Sequence, residues 1–168
     1  MGEVGILGED VELIGGQIVV REPIGPYHAG TVNRLIRLWT SRLGDRTVVQ
    51  AQNPIELAAE DSEPQPDIAL LRPRADFYTT AHPVADDVLL VIEVGDTSLR
   101  LDRRLKLPLY ARARIAEAWV VDLNAGRLEI HRAPAAAEYR DVRVLTRGDV
   151  VAPLAFPDLE ITLADVLG

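Results

Sequence analysis

Residues 88–122, VLLVIEVGDTSLRLDRRLKLPLYARARIAEAWVVD, restrict the fold more than any other stretch. An apolar run from Val88 to Val94 is interrupted by one acid, Glu93. A second apolar run, Ala118 to Val121, ends at Asp122. Between them lies a basic segment with helical spacing. The pattern predicts strand, helix, strand, and a strand–helix–strand unit of this kind builds a sheet with a helix packed on one face. A core strand excludes an ionised carboxylate unless the charge is paired, because desolvating it costs several kcal/mol. Glu93 therefore requires a partner.

The rest of the chain extends the same sheet. Residues 11–21 read as a hairpin, with Gly15-Gly16 supplying the positive φ angles of a two-residue turn. Residues 28–43 read as a helix, since Val32, Leu35, Ile36, Trp39 and Leu43 mark one buried face and Gly44 ends it. Residues 47–51, 55–58, 127–132, 139–145 and 150–152 read as strands, and 163–167 as a terminal helical turn after Thr162. Residues 66–71, PDIALL, form another apolar run with an acid, Asp67, where it begins. The expected architecture is α/β: a central mixed sheet flanked by helices, with extra strands at both ends, in a single domain over residues 1–168.

The 168-residue chain has no cysteine, which removes disulfide and thiolate chemistry. Its start lacks a basic segment followed by an apolar one, and no apolar run approaches membrane-spanning length, so the expectation is a soluble cytoplasmic protein. A net charge of −8 opposes non-specific binding to nucleic acid. One stripe runs against that charge: Arg100, Arg103, Arg104, Lys106, Arg112 and Arg114, with only Asp102 among them. It reads either as a solvated helix face or as a local contact for a polyanion.

Asp67 and Glu93 each sit on an otherwise apolar strand. If those strands are neighbours, the two carboxylates converge, and either one is protonated or a cation lies between them. Oxygen ligands suit Mg²⁺, or Mn²⁺ in its place, and such an ion polarises a phosphoryl oxygen and activates water. Asp102, Lys106 and Tyr110, at i, i+4 and i+8, share one helix face beside the apolar stripe Leu101, Leu105, Leu109. That places Lys106 where its ammonium can face Glu93. The alternative is that each acid caps a strand or pairs with an arginine, and that Asp102 and Lys106 form a surface pair. Pro108 predicts a kinked helix, or one that begins just before Lys106. His82 and His131 lack ligand-like spacing, and no phosphate-binding loop or nucleophile elbow is present.

The ordered series PDIALL, VIEVGDTS, D-x-x-x-K-L-P-L-Y-A-R-A and EAWVVD resembles the Uma-two family of restriction-endonuclease-like proteins, within the PD-(D/E)XK nuclease superfamily. VELIGGQIVV and the helix at His28 belong to the same likeness. The resemblance implies a restriction-endonuclease-like fold and a metal-dependent endonuclease acting on DNA, working as a homodimer. It implies that Asp67 and Glu93 are metal ligands, aided by the main chain of Val94, and that Lys106 acts with them. The usual lysine two residues after Glu93 is Gly95 here. Asp102, Tyr110, Gln52 and His28 match positions around such a site. Two features depart from the pattern: many relatives carry an acid at the position of Gln17, and often another near Gln52, and the junction Gly95-Asp96-Thr97-Ser98 replaces a serine-rich, proline-containing turn. Asp96 is an alternative ligand. The negative charge and Gln17 favour a second reading, a nuclease-fold binding or assembly module with weak or no catalysis; a third is a metal-dependent hydrolase of a smaller phosphate ester, which tolerates an acidic surface better than duplex DNA does.

Overall fold

The computed structural model describes residues 11–21, 23–96 and 102–168, with the backbone alone at residues 102 and 103. In chain order the elements are β1 (Val11–Ile14), β2 (Gln17–Val20), α1 (Pro26–Leu43), β3 (Val48–Ala51), β4 (Ile68–Leu71) and β5 (Val88–Gly95). A π-helical turn (Asp102–Lys106) and α2 (Leu107–Arg112) follow, then β6 (Glu117–Asp122), β7 (Arg127–Ala135), β8 (Glu138–Leu145), β9 (Val150–Val151), β10 (Ile161–Thr162) and α3 (Leu163–Leu167).

Six strands form the central sheet in the order β3-β4-β5-β6-β7-β8. Every pairing is antiparallel except β5 with β6. A parallel pair needs a crossover connection, and the residues between Gly95 and Glu117 supply it. The expected mixed sheet flanked by helices is therefore what forms.

Side-chain alternation along β4, β5 and β6 divides the core into two layers. Ile68, Leu70, Leu90, Ile92, Val94, Trp119 and Val121 lie beneath α1, packed against Leu35 and Trp39. Trp39 and Trp119 are both fully buried, with ring centroids 5.6 Å apart. Ala69, Leu71, Val91, Ala118 and Val120 lie beneath α2, against Leu107, Leu109, Tyr110 and Ala111. By the same alternation Glu93 belongs to the α2 face.

Two expectations need correction. Residues 55–58 form no strand: Glu56 makes an isolated bridge with Val84 and Leu57 one with Ser62, before a 3-10 turn over Ala58–Glu60. Pro54 and Pro64 flank this segment and carry no N–H for a ladder. The basic stripe is not one solvent face either. Lys106 is only 5% exposed, and Arg112 pairs with Glu60 at 2.8 Å. Arg104 and Arg114 are exposed; Arg100 lies outside the described residues, as does the side chain of Arg103.

Pro108 has the expected effect. It offers no N–H to the carbonyl of Arg104, and its ring crowds that carbonyl. The turn before it widens into a π-helix, and the α-helix starts only at Leu107.

Candidate active site

The site begins with strand register. Ile68 pairs with Ile92, so extending the antiparallel ladder by one residue sets Asp67 opposite Glu93. Both carboxylates are buried, at 3% and 2% exposure. The Val94 N–H donates to Asp67 Oδ2 at 2.8 Å, which ties the two strand ends together.

Lys106 arrives on the α2 face, from the turn that leads into α2. The π-turn carries its ammonium to 3.1 Å from Glu93 Oε1 and 2.8 Å from Glu12 Oε1, and it donates to the Gln65 carbonyl at 3.3 Å. One turn later, the Tyr110 hydroxyl donates to Glu93 Oε1 at 2.5 Å. Spacing of four residues thus aims an ammonium and a hydroxyl at one carboxylate. The side chain of Asp102 lies outside the described residues.

Asp67 is fixed by α1 and the end of β3. His28 Nε2 lies 3.2 Å from Asp67 Oδ2, and Gln52 Nε2 donates to Oδ1 at 3.2 Å. Arg21 approaches Oδ1 at 3.5 Å. Gln52 has φ of 52°, a left-handed conformation uncommon for a residue with a side chain. Its N–H bonds to the Pro66 carbonyl at 3.1 Å, so this backbone geometry is what directs the amide towards Asp67.

Electrostatics follow from this arrangement. Burial acts to raise the Asp67 pKa, but the His28 hydrogen bond and charge, the Val94 N–H and the Lys106 charge together hold it below the usual carboxylate value. Burial acts to lower His28, yet Asp67 and, more weakly, the Val94 main chain and Asp96 leave it raised above its ordinary value. The two shifts agree: the pair favours the ionised carboxylate and the protonated imidazole.

Glu12 is the residue that sequence reasoning missed. It is buried at 5% exposure on β1 and accepts from the Gln65 N–H at 2.6 Å. The hairpin turn docks on the segment preceding Asp67: Gly15 N–H donates to Ser62 Oγ at 2.7 Å and Gly16 N–H to the Asp61 carbonyl at 2.8 Å. A Cβ on Gly16 would meet Asp61 Oδ2 at 2.7 Å, so the glycine permits this approach. Gln17, the hairpin residue that departs from the family pattern, is exposed; the hairpin acid that enters the site is Glu12, five residues earlier.

The sequence profile of the Uma2 family, described as "Putative restriction endonuclease", matches residues 7–164. The chain belongs to the Uma2 family. Among solved structures, this Uma2 chain is similar to a "putative nuclease belonging to DUF820 from Anabaena variabilis ATCC 29413", with a TM-score of 0.74 and 14% identity over 96% of this chain and 93% of that one. At that identity the likeness speaks to the fold. No curated protein sequence matches this Uma2 chain.

A divalent cation fits the Uma2 site in its donor chemistry: Glu12, Asp67 and Glu93 offer hard carboxylate oxygens. Among the described residues no three His, Asp or Glu side chains are gathered in the arrangement of a metal-ligand set. The Lys106 ammonium instead lies between Glu12 and Glu93, where it occupies the cation position of this anionic cluster.

Proposed function

We propose that this Uma2 protein is a Mg²⁺- or Mn²⁺-dependent endonuclease that hydrolyses DNA phosphodiester bonds. The observation that carries the reading is the meeting of Asp67, just before β4, with Glu93 of β5 and Lys106 of the π-turn, at one end of the sheet. Asp67 and Glu93 would hold the ion, with Val94 and Glu12 beside them. The ion, when bound, supplies a Lewis acid for a phosphoryl oxygen and for the attacking water. Tyr110 orients Glu93, while His28 and Gln52 orient Asp67. Lys106, which lies 3.1 Å from Glu93, would face the reacting phosphate and offset the negative charge that develops there. Exposed Arg104 and Arg114 give the polyanion local cationic contacts in a chain whose net charge is −8.

The test is nicking of supercoiled DNA with Mg²⁺ or Mn²⁺. Asp67→Ala and Lys106→Ala should each reduce the rate by about 10²-fold or more with an unchanged circular dichroism spectrum. Full activity in both variants would remove the mechanism.

A second reading rests on one specific observation. Lys106 already neutralises the cluster, and no ready three-ligand arrangement stands among the described residues. On this reading the chain is a nuclease-fold binding or assembly module, and neither ion produces binding heat.

A further inference from the structure

We propose that the free edge of β8 is an interface for a second copy of this chain, joining two six-stranded sheets into one through antiparallel β8–β8 pairing centred on Val142.

β8 is the last strand of the sheet and pairs only with β7. No described residue hydrogen-bonds its outer main-chain edge. It is eight residues long, and residues 140–144, Arg-Asp-Val-Arg-Val, are all exposed. Val142 and Val144 are 50% and 44% exposed. A long, unbroken edge with exposed β-branched residues is a template for another strand unless charge or a bulge prevents it.

The charges here do not prevent it when the incoming strand is the same strand. A twofold axis relating two antiparallel edge strands lies perpendicular to the sheet and passes midway between one residue and its own copy directly opposite. An axis at Arg140 or Arg143 sets arginine against arginine, and an axis at Asp141 sets aspartate against aspartate. An axis at Val142 sets valine against valine. It then places Asp141 opposite the partner's Arg143, and Arg143 opposite the partner's Asp141. Arg140 lies opposite the partner's Val144, whose side chain its aliphatic stem can cover. Tyr139 lies opposite the partner's Leu145. An axis at Val144 also avoids a like-charge centre, but leaves only residues 143–145 of the strand paired. The Val142 register is thus the longest one free of like-charge opposition, and opposite charges across a strand pair favour it.

The interface lies three strands from β5, so it shares no residue with the site around Glu93. The inference therefore stands or falls independently of the nuclease reading.

Analytical ultracentrifugation of the full chain tests it. The wild type should sediment as a dimer. Asp141→Arg and Arg143→Asp each replace both attractive pairs by like charges, and each should weaken dimerisation by at least tenfold. Both residues are exposed, and circular dichroism checks that each variant stays folded. Mixing the two variants restores opposite charges at both positions, so the equimolar mixture should again form a dimer. A monomeric wild type overturns the proposal. So does a dimer that both variants leave intact, or a mixture that stays monomeric.

Discussion

Two buried glutamates on adjacent central strands have opposite surroundings. Glu117, at the start of β6, is fully buried and is surrounded by donors. Its Oε1 accepts from Trp119 Nε1 at 2.8 Å and from Arg132 at 2.9 and 2.7 Å, and its Oε2 accepts from the Leu154 N–H at 2.7 Å. Arg132 also donates to the Ala152 carbonyl at 2.6 Å. This cluster fastens the segment after β9 to the sheet and contains one acid. Glu93, on β5, also has a cation and a hydroxyl, but it is grouped with Glu12 around the same ammonium and lies opposite Asp67. A buried acid on a strand is therefore weak evidence for a site. Several acids gathered around one cation are stronger evidence, because their mutual repulsion opposes folding unless a cation offsets it.

Substitutions that treat the two glutamates alike should separate them most. Glu93→Gln should lower the DNA-nicking rate by about 10³-fold, while Glu117→Gln leaves the rate of the folded fraction within a few-fold. Equal losses would erase the distinction. Stability should show the reverse order in metal-free protein. Glu117→Gln leaves the Arg132 guanidinium without its counter-charge and should cost about 3–5 kcal/mol in urea unfolding, whereas Glu93→Gln thins a group of anions and should cost about 1 kcal/mol or less.

Acid and base should act on the site through His28 and Asp67. His28 is raised in the folded state, so its stabilising contribution is complete below its unfolded value of 6.5 and is lost as pH rises through the folded value. Asp67 is lowered, so its contribution is present above 3.8 and is lost as pH falls through the folded value. The stability gap between wild type and His28→Gln, measured with chelator present, should be wider at about pH 5.5 than at about pH 8.5. A gap independent of pH would mean that the pair is not ionised. The smallest effect belongs to Gln52. Gln52→Gly relieves a left-handed backbone and should change stability by no more than about 1 kcal/mol, while loosening Asp67 enough to slow nicking by about tenfold.

Much of the fold was readable because its signals are local. Continuous apolar runs marked β5 and β6, the glycine pair marked the β1–β2 turn, and Pro108 marked where the helix would break. Asp67, Glu93 and Lys106 were visible as polar residues set into or beside apolar runs. Glu12 carries the same signal within Val11-Glu12-Leu13, but a two-stranded hairpin normally leaves one face in water, so an acid there looks solvated. What buries it is the docking of the hairpin on residues 61–65, a tertiary contact with no periodic trace. Lys106 belonged to an apparent basic stripe for a related reason: spacing reports which residues share a face, while the π-turn decides which way that face turns.

The most direct test of the central claim is calorimetric titration of the metal-free protein with Mn²⁺, beside Asp67→Asn and Glu117→Gln. One saturable site is expected in the wild type, retained in Glu117→Gln and lost in Asp67→Asn. No binding heat in the wild type, or an isotherm unchanged by Asp67→Asn, would contradict it.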